Sequence, residues 1–312
     1  MSRRLAMARA VAVGLALASS PALPSLAQSG ADGAAPSWKA RAMTSVSQAG
    51  YAQVNKLKLY YEIHGAGEPL VLLHGGLGLG SMFGELLPAL TRTRQVIVVD
   101  LQGHGRTADI DRPLRYELMA DDVAALVKEL GFAAVDIMGY SMGGGVALRT
   151  AIQHPDIIRR LVVVSAPFRR DGWYPEIVAS MQQLGSAAAE QMKSTPMYQA
   201  YAAVAPRPER FGMLLDKIGD MARQDYDWSK DVTAIKAPTL LAYGDADAVF
   251  SSHAVAFFEL LGGGKKDAGW DGAGMSKARL AILPGQTHYN VFMSPLLAAT
   301  VSPFLDSPLP AK

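Results

Sequence analysis

The sequence predicts an α/β protein, with a mostly parallel central sheet flanked by helices and interrupted by a helical insertion. Three observations predict it. Short continuous apolar runs recur along the chain, helix-period segments separate them, and one long stretch is helical in pattern with no such run. A strand buried on both faces of a parallel sheet needs no polar side, so it reads as an unbroken apolar run.

The elements follow in order. Leu57 to Ile63 alternates in strand fashion, with Tyr51–Val54 before it as a hairpin partner. Pro69–Leu73 is the first apolar run. The same signature returns at Val96–Val99, Val135–Met138, Leu161–Val164, Thr239–Ala242 and Leu280–Leu283. Helical patterns fill the gaps, as at Met119–Leu130 and Gly143–Gln153. From Pro167 to Asp231 the pattern is rich in Met, Ala and Gln and is punctuated by prolines, which reads as a helical cap placed between two sheet strands. Gly262 to Ser276 is polar and glycine-rich, an extended loop before the last strand.

Bulk properties exclude several function classes. A chain of 312 residues, 50% hydrophobic and 19% charged, can bury a full core. Its formal net charge of +2 implies no nucleic-acid partner. With no cysteine, disulfides, thiolate metal sites and a cysteine nucleophile are all excluded. Neither H-E-x-x-H nor G-x-x-x-x-G-K-[ST] occurs, so no metal and no nucleotide cofactor is expected.

The first residues speak to compartment. Arg3 and Arg4 give a positive start, Ala10–Ala18 is apolar, and Ser25-Leu26-Ala27 has the small-x-small form of a cleavage site. The apolar run is short and Pro21 and Pro24 follow it, so no stable membrane span is expected. The expected organisation is a signal peptide at 1–27 and a flexible lead-in at 28–48. An α/β core at 49–166 and 232–312 follows, with the cap at 167–231. Export implies a periplasmic or secreted protein.

The chemistry concentrates at strand ends. Gly139-Tyr140-Ser141-Met142-Gly143 follows an apolar run and opens a helical pattern. A serine in so tight a strand-to-helix turn is strained and exposed, and only glycine lets the neighbouring backbone approach. His74-Gly75-Gly76-Leu77-Gly78 ends the first apolar run. Such a loop can aim backbone N–H groups at a developing oxyanion, with Gly76 the preferred donor, Leu77 its alternative, and Met142 N–H the second. A serine hydroxyl needs a base. Of six histidines, His64 reads as lying in an exposed turn, His154 and His253 sit at helix ends, and His74 and His104 lie in glycine turns. His288 instead follows the last apolar run and a short loop, Pro284–Thr287. Groups past the carboxyl ends of parallel strands converge on one edge, which suits His288 and Ser141 together. The imidazole needs an orienting carboxylate. Asp245 and Asp247, just past Thr239–Ala242, both qualify.

These motifs together resemble the α/β-hydrolase superfamily. The order Ser, Asp, His, the His-Gly-Gly loop, the nucleophile elbow and Asp100-Leu101-Gln102-Gly103-His104-Gly105-Arg106 carry the likeness, which covers about Tyr51 to Phe304. The resemblance implies an α/β-hydrolase fold with a helical cap matching 167–231. It also favours Asp247, at the last position of a G-x-x-D element, with Asp245 shaping the turn. The implied activity is hydrolysis of a carboxylic ester of a small molecule through an acyl-enzyme, with Ser141 as nucleophile. A lactone, an amide or a carbon–carbon bond is an alternative substrate for the same residues, and a non-enzymatic small-molecule-binding protein a different class. Nine side chains are candidates to line the pocket: Phe168, Trp173, Tyr174, Met181, Met192, Met197, Tyr198, Tyr201 and Phe211.

Overall fold

The computed structural model of the chain describes residues 46–309. The expected signal peptide and most of the lead-in lie outside them. Eight strands form one sheet: β1 (Val46–Val54), β2 (Leu57–His64), β3 (Glu68–Leu73), β4 (Arg94–Asp100), β5 (Val135–Tyr140), β6 (Ile158–Val164), β7 (Thr239–Ala246) and β8 (Ala278–Thr287). Their spatial order is β1-β2-β4-β3-β5-β6-β7-β8. β1 and β2 form an antiparallel hairpin and β2 pairs antiparallel with β4; every later pairing is parallel. The hairpin turns at Asn55 and Lys56, both with positive φ (45° and 68°), the conformation a two-residue hairpin requires and one that asparagine tolerates. Because β1 starts at Val46, the last three residues of the expected lead-in belong to the sheet.

The helices are α1 (Leu86–Leu90), α2 (Tyr116–Glu129), α3 (Met142–Gln153), α4 (Pro175–Gln182), α5 (Ala189–Met192), α6 (Pro196–Val204), α7 (Phe211–Arg223), α8 (Ser229–Val232), α9 (Ser251–Leu260) and α10 (Pro295–Asp306). Strand side chains alternate between faces. Val71, Leu73, Ile97, Val99, Ile137, Leu161, Val163 and Leu241 therefore pack on one side, with α2, α3 and α9. Leu70, Leu72, Val96, Val98, Met138, Val162, Val164 and Leu240 pack on the other, with α1 and α10. Burying one such side chain fully contributes about 1.5–3 kcal/mol, so this double-sided apolar lining is the main force holding the layers together. Helices α4 to α8 all lie between β6 and β7, the stretch whose sequence lacks a strand signature.

Two strand readings need correction. β8 is an edge strand rather than one buried on both faces: Ile282 is exposed, and Arg279, Leu280 and Ala281 are only half-buried. An apolar run tells of burial on at least one side, and it does not locate the sheet's edge. The segment Pro284–Thr287, expected as a loop, continues β8 through an irregularity, and Thr287 pairs with Ala246. His64 is buried at the end of β2 rather than exposed in a turn.

Candidate active site

The β5–α3 junction sets the first functional side chain. Ser141 adopts φ 53° and ψ −119°, a positive-φ conformation unusual for a residue with a side chain. Its N–H donates to Val164 O (2.9 Å) and its carbonyl accepts from Gly145 N–H (3.0 Å), which clamps the turn on both sides. Two glycines permit it. A Cβ on Gly139 would stand 2.0 Å from Gly143 O, and one on Gly143 would stand 2.4 Å from Leu73 O. Either would push the helix off the sheet.

His288 directly follows β8 and Asp247 directly follows β7, so both reach the carboxyl edge where Ser141 stands. The His288 Nε2–Ser141 Oγ distance is 3.0 Å and the His288 Nδ1–Asp247 Oδ1 distance 2.9 Å. Burial pushes the Asp247 carboxyl up. The His288 imidazole, the Ser165 hydroxyl and the Gly244 N–H outweigh that and hold it below its usual range. An ionised carboxylate only accepts, so Nδ1 carries the proton and donates. The neutral ring then offers a lone pair at Nε2, to which the Ser141 hydroxyl donates. This arrangement can draw the proton from the serine oxygen as that oxygen attacks, while the carboxylate stabilises the resulting imidazolium.

Asp245, the alternative acid, is exposed, and no donor among the described residues reaches its carboxylate. The turn-shaping part expected of it falls instead to Asp247, which accepts from Gly244 N–H (3.1 Å) and Val249 N–H (3.3 Å). Gly76, Leu77, Ser141 and Met142 border one cavity. Met142 opens α3, so its N–H has no partner within the helix and is free to face a ligand. His74 ties loops together. Its Nε2 accepts from Leu101 N–H (3.0 Å) and its Nδ1 lies 2.7 Å from Gly75 O, binding the β3 loop to the turn after β4.

Sequence reasoning missed three groups. Ser165, just past β6 and at φ 52°, donates its hydroxyl to Asp247 Oδ2. Tyr140 donates to the His288 carbonyl (2.6 Å), and its ring stands 5.2 Å from the imidazole. Arg170 borders the cavity beside Ser141. The signal for Ser165 was present, since it is a polar residue past the carboxyl end of a strand that lies between those of Ser141 and Asp247.

The cavity holds about 170 Å³ between the sheet edge and the inserted helices. Of the nine expected lining side chains only Trp173 and Met181 reach it, and Trp173 also packs edge-on to His288 at 5.4 Å. Tyr198, Tyr201 and Phe211 form their own aromatic cluster, and Phe168 stacks on His253. Another cleft, bordered by Lys236 and Lys277 at the starts of β7 and β8, contains none of these groups.

The family model for the alpha/beta hydrolase fold matches residues 68–218. A pimeloyl-[acyl-carrier protein] methyl ester esterase of Neisseria meningitidis serogroup B is 32% identical over 198 residues, covering 57% of this chain and 74% of that protein. The chain belongs to the α/β-hydrolase family. A Caulobacter vibrioides protein provisionally named carbamate hydrolase RutD is 40% identical to this hydrolase over 119 residues, which span 36% of this chain and only 44% of that relative. The solved structure of E-2-(acetamidomethylene)succinate hydrolase superposes with a TM-score of 0.65 at 18% identity, covering 83% of this chain and 99% of that one, a likeness of fold. The family model ends before Asp247 and His288, so their grouping with Ser141 rests on the geometry alone.

Proposed function

We propose that this hydrolase cleaves carboxylic esters of small molecules through an acyl-enzyme, with Ser141 as nucleophile, His288 as base and Asp247 as orienting acid. The observation that carries the reading is the unbroken hydrogen-bonded line from Asp247 through His288 to Ser141 at the mouth of an apolar cavity. A relative named as a methyl ester esterase supports the ester class.

Ser141 Oγ adds to the ester carbonyl as its proton passes to His288 Nε2. The N–H groups of Gly76 and Met142 receive the oxyanion. Collapse expels the alcohol, which takes the proton from His288, and leaves Ser141 acylated. Water then repeats the sequence on the acyl-enzyme and releases the acid. Serine as nucleophile yields an acyl-enzyme that water opens at its carbonyl, the route suited to esters.

Nitrophenyl esters of graded chain length, assayed beside lactones and amides with wild type and Ser141→Ala, test this reading. Short esters should be turned over and the variant should lose on the order of a millionfold in kcat. Turnover that survives in Ser141→Ala, or confined to lactones or amides, would overturn it.

A further inference from the structure

The apolar cavity has one cationic side chain in its wall, Arg170, that the chemistry above leaves idle. Arg170 lies just past β6, and its backbone N–H is bound to Tyr226 O (3.1 Å), next to the bridge between Arg169 and Asp227. Its Nε donates to Ala222 O (3.3 Å). No carboxylate among the described residues lies within ion-pairing distance of its guanidinium. The other arginines of the sheet edge differ: Arg106, Arg112 and Arg115 each have an acidic partner. Around Arg170 the lining is Trp173, Val178, Met181, Leu184, Ile218 and Met221, with the Tyr226 and Tyr116 rings 5.6 Å apart beside them.

A half-buried cation costs desolvation energy, and an apolar wall gives nothing back. Arg170 stands near enough to Tyr226 for its charge to act on that phenol. Burial, with Tyr116 next, pushes the Tyr226 hydroxyl well above its ordinary range, so it stays neutral. The cavity thus offers an uncompensated guanidinium and a neutral phenol at its wall and the Ser141 hydroxyl at its mouth. Arginine's planar fork matches a carboxylate in two parallel hydrogen bonds. The size suits a small ligand, since a cavity of about 150 Å³ takes a benzene-sized one.

We propose that Arg170 is a specificity-determining residue that holds a free carboxylate on the acyl part of the substrate, so that the hydrolase acts on half-esters of short dicarboxylic acids. This deepens the ester reading and rests on it for the chemistry, whereas the binding of the anion stands apart from turnover.

Two arms test it. In the first, wild type is assayed on monomethyl glutarate and on methyl 5-methylhexanoate, its neutral isostere. Wild type should favour the half-ester in kcat/KM, and Arg170→Gln should reduce that preference about a hundredfold, the scale of hydrogen bonds between charged groups. In the second, Ser141→Ala is titrated with monomethyl glutarate, with and without Arg170→Gln or Arg170→Lys. The glutamine should weaken binding about a hundredfold, and the lysine, which keeps charge without the fork, should fall between. Equal wild-type turnover of the two esters, together with binding that ignores Arg170, would overturn the inference, even if Arg170→Gln failed to fold. Inorganic phosphate competing as well as acetate would overturn the carboxylate assignment. Arg170-dependent binding with neither ester hydrolysed would sink the ester reading and the half-ester substrate with it, and would leave only the pairing of Arg170 with a carboxylate standing.

Discussion

Ser165 donates its hydroxyl to Asp247 Oδ2 while His288 Nδ1 holds Oδ1, so both oxygens of one buried carboxylate are fixed from different strands. β6 supplies the serine, β7 the aspartate and the segment after β8 the histidine, three neighbours in the sheet. The carboxylate is thereby locked in the rotation that presents Oδ1 to the imidazole.

Removing that hydroxyl should slow chemistry without weakening binding. A hydrogen bond to a charged group contributes roughly 1.5–3 kcal/mol, so Ser165→Ala should lower kcat at least about tenfold with KM little changed. Ser165→Gly separates this from a structural effect. Glycine relieves the positive φ of 52° and still lacks the hydroxyl. It should lose as much kcat as the alanine while unfolding at no lower temperature. A full-rate Ser165→Gly variant would show that the contact is incidental.

The two aspartates should separate cleanly. Asp247→Asn favours the wrong imidazole tautomer, a loss of about ten-thousandfold in kcat in the serine-protease case. Asp245 is exposed, and substitutions at such sites usually change stability by less than about 0.5 kcal/mol, so Asp245→Asn should keep both turnover and melting temperature. Steady-state kinetics with thermal melts on both variants decide it, and the reverse pattern would exchange their roles.

Acid should destabilise the fold through its buried histidines. Burial lowers His74 to about 4, and burial with the nearby His74 lowers His104 to about 3. In the unfolded chain such groups take up protons near pH 6.5. Between that value and about 4, the unfolded state binds protons that the native state refuses, so stability falls as pH falls. Burial raises Asp100, Asp122 and Asp136, which act in the opposite direction, so the informative quantity is a difference. His104→Phe keeps a ring and removes the titration. Its melting temperature should drop less than that of wild type between about pH 7 and about pH 5. Equal drops would contradict the assignment.

We propose that the chain is exported and cut after Ala27. N-terminal sequencing of protein recovered from the periplasm or medium should then begin at Gln28. An intact Met1 on cytoplasmic protein would refute this.

Much of the fold was legible because apolar runs and helix periods report burial directly. Val96–Val99 and Leu161–Val164 could be read as buried strands from their unbroken apolar runs. The edge position of β8 could not, because strand order is set by pairing between distant segments. The grouping of Ser141 with His288 was legible for a topological reason: residues past parallel strands share an edge. Asp247 against Asp245 was undecided from the residues, since two residues of spacing put both on one side only if the strand stays regular. β7 and β8 shift register between Gly244 and Ala246, which leaves Asp245 in solvent and turns Asp247 inward. Arg170 went unread because a lone polar residue carries no pattern, and Ser165, although it stands past a strand end, because that position gains its meaning only from the carboxylate facing it.

Ser141 as the nucleophile is tested by locating the adduct of a fluorophosphonate probe. The wild-type protein should gain the mass of a single adduct, and peptide mapping should place it on Ser141. The label should vanish in Ser141→Ala and form far more slowly in His288→Ala. An adduct on another residue, or none on a folded protein that hydrolyses esters, would contradict the account.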